Sequence, residues 1–308
     1  MESDFIRWLR QRLPSKPCLA LKPGDDAAVL ALADGASCVV TTDLLTDQVD
    51  FVLAEVEPRR IGHKALGVNL SDLAAMAARP LAAVVALALP RCGAGELAIS
   101  LYEGLLPLAE RFDLAIAGGD TNTWNGPLVI SVTAIGELTD RGPLTRSGAQ
   151  PGDRILVTGT LGGSILGRHL DVEPRVDEAL RLMAQYELHA GIDISDGLST
   201  DLGHLTEESG CGAVVASARV PVSDAAKALA ASTAGSRTPL EHALHDGEDF
   251  ELLLAVPQAA ADRILRDKTL DVPITEIGQF VAERGLWLED DGQRKPLPIG
   301  GYEHRDEP

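Results

Sequence analysis

The sequence has 308 residues, of which 45% are apolar and 24% charged; this excludes an intrinsically disordered chain and leaves room for two domains of ordinary size. Its 46 Asp and Glu outnumber 27 Lys and Arg, for a net charge of −19. That charge excludes general binding to nucleic acid or an anionic membrane, but not to a nucleotide held through divalent cations.

Phe5, Ile6, Leu9 and Leu13 recur at helical spacing and predict a short opening helix. Ala27 to Leu32 and Cys38 to Thr42 read as strands around an Asp34-Gly35 turn, and Pro58 to Ala78 as a helix begun by Pro58 and stopped by Pro80. Leu81 to Leu89 is a buried strand, Gly95 to Phe112 a helix, and Leu114 to Ala117 and Leu128 to Gly136 are strands. The polar stretch Gly148-Ala149-Gln150-Pro151-Gly152-Asp153 marks a boundary between domains of residues 1–148 and 149–308. Beyond it come strand Arg154 to Thr158, a glycine loop, helices to about Leu188, strand Gly191 to Ile194 and a helix after Gly197. Strand Phe250 to Val256, a helix from Gln258, and strands near Ile274 and Leu286 complete the pattern, with a frayed tail after Tyr302.

Met1 to Arg12 holds no signal-peptide apolar stretch, and the apolar run Leu81 to Pro90 falls short of the ~20 residues a bilayer requires. Cys18, Cys38, Cys92 and Cys211 form no Cys-x-x-Cys pair and are expected as buried, reduced thiols. Both features fit a soluble, cytoplasmic protein.

The chemistry lies in aspartates at the ends of apolar strands, each beside Gly, Ser or Thr. They occur in Gly24-Asp25-Asp26, Thr41-Thr42-Asp43, Gly118-Gly119-Asp120-Thr121 and Asp193-Ile194-Ser195-Asp196-Gly197, joined by Asn69-Leu70-Ser71-Asp72 inside the predicted helix, where Asn69 and Asp72 share a face. Singly, such residues are helix caps or turns. Collected in one place they would repel, because Lys22, His63, Lys64 and Arg146 are the only cations in view. Oxygen donors without a Cys or His cluster favour Mg²⁺, and Mg²⁺ on scattered carboxylates serves phosphoryl transfer. Val157-Thr158-Gly159-Thr160-Leu161-Gly162-Gly163-Ser164 lacks the Lys of a phosphate-binding loop and reads as tight packing; His304-Arg305-Asp306 is a chance match to a protein-kinase triplet.

Together with Leu144-Thr145-Arg146-Ser147-Gly148-Ala149 and Gly247-Glu248-Asp249-Phe250-Glu251-Leu252, these motifs stand in an order that resembles the thiamine-monophosphate kinase family, from about residue 24 to Tyr302. The resemblance implies an α/β (α+β type) protein with the two-domain aminoimidazole-ribonucleotide-synthetase-like fold, mixed sheets flanked by helices, usually a homodimer paired through its N-terminal domains. It implies transfer of the γ-phosphoryl group of ATP to thiamine monophosphate. By that likeness Asp26, Thr41, Thr42, Asp43, Asp72, Asp120, Asp193 and Asp196 are Mg²⁺ ligands, and Gly119, Asp120, Arg146 and Ser195 are nucleotide contacts. Glu248 and Tyr302 fall where the family contacts the thiamine moiety, and Asp50 stands where its members usually carry a substrate-contacting His. Asp43, Asp72, Asp120 and Arg146 are the expected catalytic set. Ala77 stands where a Gly usually follows the Met, a change read as packing. Selenophosphate synthetases and hydrogenase-maturation enzymes of the same superfamily are alternatives, as is a non-catalytic nucleotide binder. The first two are disfavoured because Cys18 has no flexible glycine-rich surroundings and the sequence closes on Asp306-Glu307-Pro308 rather than a Cys-bearing tail.

Overall fold

The computed structural model describes residues 6, 8–13, 16–21, 24–33, 36–232 and 237–302. Of the expected opening helix, Phe5 lies outside these residues, while Ile6 and residues 8–10 are helical. Lys22, the Asp34-Gly35 turn and everything after Tyr302, including His304-Arg305-Asp306, also lie outside them.

The first half builds a five-stranded sheet from β1 (Ala28–Ala31), β2 (Ser37–Thr46), β3 (Ala78–Pro90), β4 (Ala115–Trp124) and β5 (Val129–Leu138), in the order β1-β2-β5-β3-β4. All neighbours are antiparallel except β3 and β4, which are joined through a helix as a parallel pair requires. Helices α1 (Pro58–Ala75) and α2 (Ala94–Arg111) pack closely, because Gly62 and Gly104 stand against each other's helix; a Cβ on Gly62 would meet the Leu101 carbonyl at 1.8 Å, and one on Gly104 the Arg59 carbonyl at 1.7 Å.

The second half builds a seven-stranded mixed sheet in the order β12-β11-β8-β10-β6-β9-β7. Its strands are β6 (Arg154–Thr158), β7 (Ala190–Asp193), β8 (Gly212–Ala216), β9 (Leu252–Val256), β10 (Ile274–Val281), β11 (Gly285–Asp290) and β12 (Gln293–Pro296). Its helices are α3 (Val176–Gln185), α4 (Leu198–Ser209), α5 (Asp224–Ser232), α6 (Pro239–His245) and α7 (Gln258–Asp267). The period-2 alternation of its central strands splits the core. Leu156, Leu252, Leu254 and Val256 join one cluster with Ile61, Leu66 and Leu70 of α1, whereas Ile155, Val157, Leu253 and Ala255 face a second with Leu198, Leu202 and Phe280. α1 is thus buried on nearly every side between the two sheets.

Several expected boundaries shift, each for a local reason. α1 stops at Ala75 because Ala77 turns left-handed (φ 51°), so the usual Gly there answers to backbone conformation and not to packing. Pro80 does not end a helix; it lies in β3 at the register shift between Pro80 and Ala82, where a missing N–H is tolerated. β2 continues to Thr46, so Asp43 sits within a strand and not at its mouth. β4 runs through Gly118-Gly119-Asp120 to Trp124, and Phe250, at φ 50°, precedes β9. β8, α5, α6 and β12 were not anticipated. The four thiols are free as expected, but Cys211 alone is buried, and Cys18 and Cys92 are exposed. Among the described residues no helix is long and apolar enough to cross a membrane.

Candidate active site

Three aspartates from different elements converge where the two halves meet. Asp26 precedes β1, Asp72 lies in the last turn of α1, and Asp193 ends β7; carboxylate oxygens from all three lie within 4.8 Å of one another. Hydroxyls hold two of them. Thr41 Oγ1 donates to Asp72 Oδ2, and Ser71 Oγ donates to Asp193 Oδ2 at 2.5 Å across the domain junction. Strand alternation places Thr41 and Asp43 on the same face of β2, with Thr42 on the other, where its hydroxyl meets the Val132 carbonyl and Thr133.

The group is underneutralised. Among the described residues Arg146 is the cation hydrogen-bonded to it: Nε and Nη2 donate to Asp26 Oδ1 at 3.2 and 2.6 Å, and its backbone N–H donates to Asp25 at 2.7 Å. Burial pulls this guanidinium down, but the charge and hydrogen bonds of Asp26, with Asp193 and Asp201 behind it, push it up overall. Lys64 is engaged elsewhere, with Glu248, and His63 Nε2 is 2.8 Å from the Val172 carbonyl. Among the described residues Asp26 Oδ2 and Asp43 Oδ2 are buried with no hydrogen-bond partner. Burial, then the charge of Asp50, pushes Asp43 up to about 6. Burial, then Asp26, pushes Asp193 up to about 7, and burial with the charges of Asp43, Asp193 and Asp26 raises Asp72 well above the ordinary value. Crowded carboxylate oxygens raised in pKa for want of a counter-charge are a donor set suited to a hard divalent cation.

This electrostatic load has a measurable consequence. Between the ordinary aspartate value of 3.8 and the folded values of about 6 and 7, the metal-free fold keeps protons that the unfolded chain releases. Stability contributed by these groups is therefore present below about pH 4 and is lost as pH rises through about 7. Magnesium is expected to raise the melting temperature of EDTA-stripped protein by several degrees at pH 7.5 and hardly at all at pH 5; equal shifts at both, read by scanning fluorimetry, would contradict the assignment.

A second acidic group, Asp196, Asp201 and His204, lies nearby. Sequence reasoning named Asp196 but missed the others, although Asp201 and His204 stand three apart and share a face of α4. Asp201, buried, accepts the N–H groups of Asp196 and Gly197 at 3.2 and 3.0 Å, so part of its work is to hold the Asp193–Gly197 turn. The Ser195 carbonyl accepts the Glu248 N–H at 2.6 Å, and the Asp196 carbonyl accepts the Tyr302 N–H at 3.0 Å. The turn therefore gathers Ser195, Asp196, Glu248 and Tyr302 in one neighbourhood. Asp50 closes the loop after β2, its carboxylate accepting the Thr46 N–H at 2.7 Å. Gly119 and Asp120 are apart from these groups, exposed on the outermost strand of the first sheet, with Asp120 in register with Ala86.

The glycine loop after β6 packs as its sequence suggests. The Gly162 N–H donates to both Asp249 carboxylate oxygens at 3.0 and 2.9 Å, the Gly163 N–H donates to Asp246, and Arg168 adds a contact to Asp249 at 2.5 Å. Amides that elsewhere cradle a phosphate here hold an internal carboxylate. Glu251 is likewise structural, bound by both arms of Arg175 at 2.7 Å and by Thr158.

Two family models match the chain: AIR synthase related protein, N-terminal domain, over residues 24–138, and AIR synthase related protein, C-terminal domain, over residues 150–291. Over 295 residues it is 45% identical to a thiamine-monophosphate kinase of Rhodopirellula baltica, covering 93% of this chain and 92% of that one. A thiamine-monophosphate kinase of Escherichia coli K12 is 38% identical over 329 residues, 98% and 97% of the two chains. Among solved structures, "AaThiL complexed with AMPPCP and TMP" is similar at a TM-score of 0.85 and 29% identity, over 99% of this chain and 97% of that one.

Proposed function

We infer the reaction from the fact that this chain belongs to the thiamine-monophosphate kinase family: it is an enzyme that transfers the γ-phosphoryl group of ATP to the phosphate of thiamine monophosphate, giving thiamine diphosphate and ADP. The observation that carries it is the convergence of Asp26, Asp72 and Asp193, with Arg146 as the cation paired to them among the described residues. Donor and acceptor are both anions, so the obstacle is their repulsion and no strong base is needed.

We propose that the balance comes from Mg²⁺, with Asp26, Thr41, Asp43, Asp72, Asp193 and Asp196 as ligands where the two halves meet; the orphaned oxygens of Asp26 and Asp43 support this, while Thr42, on the other face of β2, and Asp120, on the outermost strand, are assigned to Mg²⁺ by the family likeness alone. When bound, such ions neutralise charge on the phosphates. The chain's own residues supply the frame. The hydroxyls of Thr41 and Ser71 fix Asp72 and Asp193, and Arg146 fixes Asp26 through Nε and Nη2; by the family likeness Arg146, Ser195, Gly119 and Asp120 contact the nucleotide, the two β4 residues from the outermost strand. Asp43, Asp72, Asp120 and Arg146 are the catalytic set. On the acceptor side stand Asp50, Glu248 and Tyr302, and the two carboxylates suit the cationic thiazolium.

The domain division we assign is 1–148 and 149–308. The active form proposed is a cytoplasmic homodimer. Leu44, Leu81, Val84 and Trp124 are all exposed on strands of the first sheet, an apolar surface of the kind a second copy covers. Sedimentation is expected to give twice the chain mass, and a monomer at micromolar concentration would remove this part.

The test of the reaction is incubation with ATP, Mg²⁺ and thiamine monophosphate, with thiamine diphosphate read by fluorescence after oxidation to the thiochrome form. Product that needs all three is expected. ADP without thiamine diphosphate would overturn the acceptor, and no ADP at all would overturn the kinase.

A further inference from the structure

Lys64 is fully buried in the middle of α1, among Ile61, Ala65 and Leu66. A desolvated ammonium persists only with close partners. Among the described residues it has two, from opposite halves of the molecule. Its Nζ donates to the Asp50 carbonyl at 2.7 Å, and to Glu248 Oε1.

Each partner belongs to a segment already fixed from its other side. The loop after β2 is closed by Thr46 N–H on the Asp50 carboxylate at 2.7 Å and by Asp50 N–H on the Thr46 carbonyl at 3.0 Å. Glu248 holds a left-handed backbone (φ 61°), which a non-glycine residue keeps only where its surroundings over-determine it. There the Glu248 N–H is bound to the Ser195 carbonyl at 2.6 Å, and the Phe250 N–H to the Ile194 carbonyl at 2.8 Å. The Glu248 side chain nevertheless keeps 34% of its surface exposed, enough to meet a ligand while one oxygen stays on Lys64.

We propose that Lys64 is a positioning residue for the acceptor: a single buried ammonium ties the Asp50 loop of one domain to Glu248 of the other and sets the spacing between the two sides of the thiamine monophosphate site. This rests on the kinase reading above. Among the described residues the hydrogen bonds of Lys64 go to Asp50 and Glu248 and not to the three-aspartate group or the glycines of β4, so its influence falls on the acceptor and not on ATP.

Steady-state kinetics of Lys64→Gln should show the KM for thiamine monophosphate raised about tenfold or more, with the KM for ATP within about twofold of the parent. Added to Glu248→Ala, the same substitution should change the acceptor KM less than about twofold, since the tie is already broken. Equal changes in both KM values, or the full Lys64 effect persisting in the double variant, would overturn the proposal. Should Lys64 variants fail to fold, Glu248→Ala alone still decides by hydrogen exchange. Amides of residues 46–51, in the other domain, are expected to exchange faster, and unchanged protection there would sink the tie. Exchange needs no turnover, so a parent protein that makes no product would refute the kinase reading without touching this result.

Discussion

Asp72→Asn is expected to lower turnover by about a thousandfold, roughly 4 kcal/mol of lost transition-state stabilisation, while raising the melting temperature of the metal-free protein. The two signs come from one cause. Asp72 lies against Asp26 and Asp193, and burial together with those charges lifts its pKa well above the ordinary value. A neutral side chain of the same shape removes that repulsion and can still accept from Thr41. It removes, too, an anionic ligand that the reaction requires. Measured side by side, thiochrome fluorescence and thermal unfolding separate the possibilities. A variant both inactive and less stable would mark Asp72 as an ordinary structural carboxylate.

Arg146→Met should lose activity by about a hundredfold and, unlike Asp72→Asn, should lose stability as well. Asp26 has a side chain only 1% exposed, and Arg146 supplies both hydrogen bonds to its Oδ1. Stripping the cation from a buried pair costs about 3 kcal/mol, because the remaining carboxylate is left uncompensated. Arg146→Lys is not expected to rescue, since an ammonium cannot reproduce the fork that meets Asp26 and also reaches the Gly24 carbonyl at 3.4 Å. The double variant Arg146→Met with Asp26→Asn should recover stability but not activity. Recovery of both would show that the pair is structural.

Period and punctuation made much of the fold legible. Pro58 set the start of α1 and Arg154 to Thr158 is β6 to the residue. What escaped was decided by tertiary context. β8 and β12 are short, and β12 is exposed at every position, so neither carries an alternating pattern long enough to read. β4 is two glycines in an exposed edge strand, and Gly-Gly-Asp read locally as a turn; it stays extended because a Cβ at Gly119 would strike the Val85 carbonyl at 1.8 Å, a close approach visible only once β3 lies beside it. The site divides in the same way. A scarcity of cations among many Asp residues pointed to the acidic group, but which hydroxyl holds which carboxylate depends on chain crossings such as Ser71 to Asp193, 122 positions apart. Lys64 was in view as a possible counter-charge to the aspartates; its engagement with Glu248 follows from the depth at which α1 is buried, which no local pattern encodes.

The cluster shared by α1 and one face of the second sheet also bears on modularity. Leu66 and Leu70 pack in the same core as Leu254 and Val256, so a cut near residue 148 would bare an oily strip on each piece instead of releasing two free-standing modules. Swapping halves between related kinases would then demand matched side chains along that seam, and grafts that ignore it should come out of the cell insoluble.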